Sequence, residues 1–426
     1  MLRIGSRFAR VEPRRRVAAF MRGLLAGLPR TNCWTIAEHA GEADPRGMQR
    51  LLSEAVWDTD GVRNDLRDYV VDHFGDAAAT LVVDETGDLK KGTCTVAAQR
   101  QYSGTAGRTE NCQVAVYLTY AAPAGYAFID RALYLPKSWT DDPSRCRAAG
   151  VPEQVSFATK PALARAMIEA ALEGGAPAAW ATGDEVYGAD PALRAALAGR
   201  SLGFVLAVAK SHPITIGIGK SRAIEVAAKL PERAWQRMSA GNGAKGPRWY
   251  DWALIDTTDP ATSNNDSSNG RDWLLIRRSI TTGEYAFYRA HAPHPVPLST
   301  LVRVAGTRWK IEESFAGGKE LAALDEHQVR GWTSWHRWTV LAMLAHAFLS
   351  VLTATQPDTP PNDGDSVTRP HQTLIPLTRN EIRRLLTGLT SQLKPIAFQL
   401  HWSRWRRRHQ AIARACHYRR RAKQAA

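Results

Sequence analysis

A chain of 426 residues with 44% hydrophobic composition is long enough for two or three domains around a large core. Its formal net charge of +15 favours a polyanionic partner, nucleic acid before an anionic membrane surface. No uninterrupted run of about 18 apolar residues occurs, so no membrane span is expected. The arginine-rich start lacks the apolar core of a secretory signal. The five cysteines are scattered and never form a C-x-x-C pair, which argues for a reducing cytoplasm and against structural zinc.

Residues 1–76 read as a helical unit. Val17–Leu28, Thr35–Ala40, Gly47–Val56 and Val62–Phe74 have helical patterning, with Asp58 or Asp60 placed to cap the last. Arg10, Arg14, Arg15 and Arg16 make its edge basic. DNA binding and capping of the next domain are both open to such a unit. Residues 77–210 alternate between strands and helices. Ala79–Asp84 is a short apolar run ending in an acid. Val114–Ala121 and Tyr126–Leu135 read as adjacent antiparallel strands, and Lys160–Glu173 as a helix. Ala178–Asp184 is a second strand ending in an acid, followed by a helix at Pro191–Leu197 and a strand at Gly203–Ala209. The order predicts an α/β layer on a mixed sheet.

Residues 211–297 break that rhythm. Trp249–Asp256, Trp273–Ile280 and Glu284–Ala290 look like strands of a β-rich insertion, and Thr257–Gly270 like a polar loop. Residues 298–353 resume the core with one helix from Leu298 to about Leu324 and an apolar helix at Ser334–Thr353. A linker at 354–370 leads to a basic helical region, 371–426. There Arg379–Leu386 is a short helix, and the last helix carries an uncompensated run of arginines and lysines from Arg404 to Lys423. Interleaved with Trp402, Trp405 and Tyr418, that run is suited to tracking phosphates.

Three acids stand out. Asp84 and Asp184 end strands, and Glu312 lies on the polar edge of a helix. Arg308, Glu312 and Lys319 share one helical side, beside an apolar stripe of Val304, Ile311, Phe315 and Ala322. Taken alone, the triple is an ordinary surface ion ladder. Together with two strand-end aspartates, it matches what a hard divalent cation requires: a few carboxylates, with substrate phosphate completing the shell. Two Mg²⁺ ions about 3.5–4 Å apart, with Mn²⁺ as substitute, could activate a water or 3′-hydroxyl and stabilise a leaving oxygen. Gly217–Ser221 has the ending of a phosphate-binding loop but Ile214 where its first glycine belongs. His327, His336 and His346 lack ligand spacing and read as packing, capping or phosphate-contacting residues.

The stretches Leu81–Gly92, Ala181–Gly188, Gly306–Lys319, Leu324–Trp338 and Trp402–Gln410 together resemble bacterial insertion-sequence transposases of the DDE class. The resemblance runs over nearly the whole chain. It implies an RNase H-like catalytic core, two-metal cleavage at element ends and strand transfer into target DNA. It also implies a cytoplasmic, nucleoid-associated enzyme that is dimeric on double-stranded DNA. Asp84 and Asp184 match the family's two aspartates and Glu312 its glutamate, the catalytic, metal-holding triad. Arg308 and Lys319 match the R and K of the Y-R-E-K signature, which contact DNA; its tyrosine falls at Ala305, a departure. Lys90, Lys91, Arg330, Arg337, Trp402, Arg404, Arg406, Arg407 and Arg408, from the same stretches, are expected on the DNA. A catalytically inactive DNA-binding descendant and another RNase H-like nuclease are the rival readings. Glu85, Glu185 and Glu313 adjoin the triad, but each is turned away by the pleat of a strand or the pitch of a helix.

Overall fold

The computed structural model describes residues 3–216, 219–243, 246–257, 270–356, 377–390 and 394–425; the expected loop at Thr257–Gly270 and linker at 354–370 fall almost wholly outside them. Four helices open the chain: α1 (Val11–Leu25), α2 (Cys33–Ala40), α3 (Arg46–Ser53) and α4 (Thr59–Phe74). Asn32 begins α2 with a capping box. Its carboxamide accepts from the Trp34 and Thr35 amides, and the Thr35 hydroxyl accepts from the Asn32 amide. Asp58 caps α4 through the Gly61 amide. The inner faces of these helices, with Phe20, Ile36, Leu51 and Val70, enter the same core as the central sheet. Arg10, Arg14 and Arg15 stay exposed along the outer edge.

The sheet begins with β1 (Thr80–Leu89), β2 (Gln99–Ser103), β3 (Arg108–Ala122) and β4 (Gly125–Leu133). Short helices α5 (Lys137–Thr140) and α6 (Pro143–Ala148) lead to α7 (Lys160–Glu173), whose limits are those the sequence predicts. Then come β5 (Trp180–Gly183), the one-turn α8 (Glu185–Gly188), α9 (Pro191–Gly199) and β6 (Gly203–Val208). β1 runs antiparallel to β3 along its length and parallel to β5, which runs parallel to β6. Antiparallel strands on one side of β1 and parallel ones on the other make the mixed sheet of an RNase H-like core.

The insertion contributes a hairpin, β7 (Pro213–Ile216) and β8 (Gly219–Arg222), then α10 (Ala223–Ala228). Its remaining strands are β9 (Gln236–Gly243), β10 (Gly246–Asp256), β11 (Arg271–Ser279) and β12 (Tyr285–Ala292). They do not form a separate sheet. β12 pairs antiparallel with β6, so among the described residues one ten-stranded sheet runs from β2 to β9. The edge of the core sheet offered unpaired backbone groups, and the insertion satisfies them.

The single helix expected from Leu298 to about Leu324 is instead two. They are α11 (Leu298–Thr307) and α12 (Trp309–Ala322), parted at Arg308. The predicted stripe is buried throughout, but it serves two cores. Val304 packs with Trp252 and Tyr288 of the insertion, while Ile311, Phe315 and Ala322 pack with the main sheet. The break lets one segment follow both surfaces. Next, α13 (Trp332–Ala354) lies largely buried as the back wall. Among the described residues it alone is long and apolar enough to cross a membrane, and the core uses that apolarity. Helices α14 (Arg379–Thr390) and α15 (Ile396–Ala425) finish the described chain.

Candidate active site

Asp84 does not end a short strand, as its sequence pattern predicts; it sits in the middle of the ten-residue β1, opposite Tyr117 of β3. β1 is long because β3 pairs with it residue by residue. On the other side the parallel ladder stops earlier, its last pair being Val82 with Thr182. There β5 ends, the chain turns, and Asp184 becomes the N-cap of α8 by accepting from the Val186 amide at 2.9 Å. Asp84 therefore stands just beyond the point where its neighbour strand turns away, and Asp184 stands at that turn. Two glycines permit the turn. A Cβ on Gly183 would meet Val83 at 2.8 Å, and one on Gly188 would lie 1.8 Å from the Ala207 carbonyl oxygen.

The pair is electrostatically strained. Burial, and then the Asp184 carboxylate, push Asp84 up to about 8 against the pull of Arg308. Asp184 is also raised, first by burial and then by Glu85. Arg308 donates to Asp84 at 3.4 Å, and Lys319 donates to the Thr86 hydroxyl at 2.8 Å, one residue further along the same face of β1. So the two cations that a surface ladder would pair with Glu312 turn to β1 instead. Glu312 occupies the first turn of α12, at the positive end of the helix dipole, and faces the same cavity as the two aspartates.

That cavity measures about 940 Å³. Asp84, Asp184 and Glu312 line it, and Lys160, Arg248, Arg277, Arg308 and Lys319 rim it with positive charge. The insertion supplies one wall. Arg248, Tyr250 and Trp252 alternate along β10, and Arg277, opposite Trp252 on β11, lays its guanidinium over the Tyr250 ring at 4.5 Å. Sequence reading missed these residues, although the two-residue period of β10 carried the signal. Ala305, where the family signature has tyrosine, also lines the cavity, as do Tyr250 and Tyr288. Glu313 is committed elsewhere, to Lys310 at 2.9 Å; burial alone would raise its pKa, but hydrogen bonds with Tyr126 and Lys310 hold it below the usual carboxylate range.

As donors for a hard cation, these oxygens fit in kind, and a cation would relieve the Asp84–Asp184 repulsion. As they stand, no three carboxylates, histidines or cysteines among the described residues converge closely enough to hold an ion.

Several expected DNA contacts are corrected by burial. Arg337 is buried, points toward the Leu51 and Leu52 carbonyls and stacks on Trp57 at 4.9 Å. Trp402 is fully buried, its indole donating to the Glu42 carbonyl at 3.0 Å. Lys90 turns inward to Asp88 and His327. Each is a long or aromatic side chain that helix and strand packing used to close the core. By contrast Lys91, Arg330, Arg404, Arg407 and Arg408 are exposed, and Arg406 pairs with Glu38 at 2.5 Å. His327 and His346 are buried and His336 is half-buried, and loss of solvent pushes all three pKa values down, His336 to about 3.

A mixed sheet with acids gathered at its centre, facing a basic cavity, is the arrangement of an RNase H-like core. Residues 5–216, just under half of the chain, match the family described as DDE superfamily endonuclease. The match includes Asp84 and Asp184 and stops short of Glu312. The chain is 26% identical, over 196 residues, to a probable transposase for insertion sequence element IS701 of Microchaete diplosiphon. The alignment takes in 46% of this chain and 48% of that protein, so the chain spans about half the length of the curated relative it matches.

Proposed function

We propose that the protein is an insertion-sequence transposase that cleaves DNA at the ends of its element and joins the freed 3′-hydroxyl to target DNA. One observation carries the reading. Asp84 and Asp184 are set side by side by the end of a parallel ladder, with Glu312 on the facing helix across a single basic cavity. Asp84, Asp184 and Glu312 would hold Mg²⁺, two ions by the family's pattern, with Mn²⁺ able to substitute. Bound divalent ions supply charge stabilisation at the attacking and leaving oxygens.

The chain's own residues do the rest. Arg308 and Lys319, now held by Asp84 and Thr86, are placed to move onto end phosphates, joined by Arg248 and Arg277 from the insertion wall. The exposed arginines of α15 and the basic edge of α1 extend the grip on duplex DNA. Two element ends require two active sites, so the working form is a dimer on DNA. The place of action is the cytoplasm, at the nucleoid.

The test compares wild type with Asp184→Ala in Mg²⁺- or Mn²⁺-dependent nicking of element-end DNA. Cutting by wild type alone supports the reading. Equal cutting by both removes Asp184 from the site. Binding without cutting by either favours a DNA-binding descendant, and structure-selective cutting with no preference for element ends favours another RNase H-like nuclease.

A further inference from the structure

We infer that Tyr187, Glu85 and Lys160 form a positioning clamp that sets the distance between Asp84 and Asp184; the inference rests on the reading of those aspartates as the metal-holding pair. Glu85 follows Asp84 on β1, and Tyr187 follows Asp184 by three residues in α8. The Tyr187 hydroxyl donates to one carboxylate oxygen of Glu85 at 2.6 Å, and the Lys160 ammonium donates to the other at 2.6 Å. Both Glu85 oxygens are thus engaged, although the side chain borders the cavity. A carboxylate gripped on both oxygens is a support, not a free ligand.

The clamp lies where the backbone gives no help. The β1–β5 ladder ends before either aspartate, so no strand pairing ties the Asp184 turn to β1. Asp84 is buried and Asp184 half-buried, and when both are ionised their repulsion pushes that turn outward. The Tyr187–Glu85 hydrogen bond opposes the push, joining the residue beside one aspartate to the turn capped by the other. Tyr187 can hold because it is itself fully buried and α8 is tight. The Gly188 amide donates to the Asp184 carbonyl at 2.9 Å, and the Tyr187 ring backs onto Gly183. Lys160, the first residue of α7, neutralises Glu85, so the clamp adds no net negative charge to the acid cluster. Hydrogen-bonding partners behind metal-holding carboxylates fix their aim, and losing one typically costs about 10–100-fold in metal affinity.

Tyr187→Phe removes one hydroxyl and keeps the ring that packs on Gly183. Mn²⁺ binding to the full chain without DNA, followed by electron paramagnetic resonance, is expected to weaken by about tenfold or more. In end-DNA cleavage kcat should fall while KM for DNA stays within about twofold, because the DNA contacts are untouched. Glu85→Ala should match it, whereas Glu85→Gln, which still accepts from Tyr187, should recover most of the Mn²⁺ affinity. Wild-type Mn²⁺ binding by Tyr187→Phe or Glu85→Ala would overturn the clamp. So would complete loss of binding in Glu85→Gln, which would make Glu85 a ligand. Asp184→Ala separates the two levels. If it too binds Mn²⁺ and cuts like wild type, the metal-pair reading has failed; if it loses both while Tyr187→Phe keeps both, only the clamp has.

Discussion

Asp84 and Asp184 stand where two neighbouring parallel strands part, whereas Glu312 stands on a helix that starts at a break in the chain. The aspartate wall is held from within the sheet. β1 is paired along its full length with β3, Leu81, Val82 and Val83 are buried, and Asp184 caps a one-turn helix. The glutamate wall is held by side chains around α12. Lys310 pairs with Glu313, and both Lys310 and Arg379 lie over the Tyr126 ring, at 4.6 and 4.2 Å. The two walls carry the same kind of charge but are supported differently. A carboxylate pair this close needs a rigid mount because it repels whenever both members are ionised. A half-buried glutamate at a helix start is stabilised by the dipole and tolerates a looser mount.

The strongest way to break the comparison is to remove a carboxylate from each wall. Asp84→Ala, Asp184→Ala and Glu312→Ala should each lower end cleavage by about a thousandfold or more while end-DNA binding in gel shifts survives. Cleavage near the wild-type rate in Glu312→Ala would leave the aspartate wall working alone. Next, Gly188→Ala strikes the mount of the aspartates. A methyl 1.8 Å from the Ala207 carbonyl oxygen should cost about 2–3 kcal/mol in urea unfolding, against less than about 1 kcal/mol for Ala316→Ser on the exposed face of α12. Lys319→Ala should reduce strand transfer by about tenfold with a nearly unchanged melting curve, since it gives up one hydrogen bond to the Thr86 hydroxyl and a distant contact with the Phe315 ring. Unchanged transfer would remove Lys319 from the site.

The smallest effect sharpens the electrostatic difference. Asp84 titrates higher in the fold than in the unfolded chain, so its neutral form is the stabilising one. That stability is fully present below the ordinary aspartate pKa and is lost as pH rises through about 8. Metal-free protein should therefore lose a few degrees of melting temperature between about pH 5 and pH 9 on this account, and Asp84→Asn should flatten the decline. An equal slope in wild type and Asp84→Asn would contradict the strained pair.

Much of the core could be read from the residues. The helix Lys160–Glu173 follows from its alanine-rich amphipathic run, and the structure adds that Thr159 caps it through the Ala162 amide at 3.2 Å. The apolar stripe Val304, Ile311, Phe315 and Ala322 is buried as its spacing requires. Asp184 at the end of β5 is where its strand pattern put it. The length of β1 was not legible, because a strand extends as far as its partner does and β3 lies many residues away. Nor was the break at Arg308, since a continuous helical period does not reveal that its two halves cover different cores.

The sequence by itself determined the mixed α/β class, the three acids and the basic character of the chain, because these depend on local periodicity and on residue chemistry. Only the tertiary structure decided which cations face the cavity and which are consumed by packing. Arg308 and Arg337 are alike as residues on helical segments, yet one reaches Asp84 and the other is sealed between Trp57 and the α3 carbonyls. Only the fold, too, joined the insertion to the main sheet and set Tyr187 against Glu85. Both depend on contacts between segments remote in sequence, and no local pattern encodes which distant surface a side chain will meet.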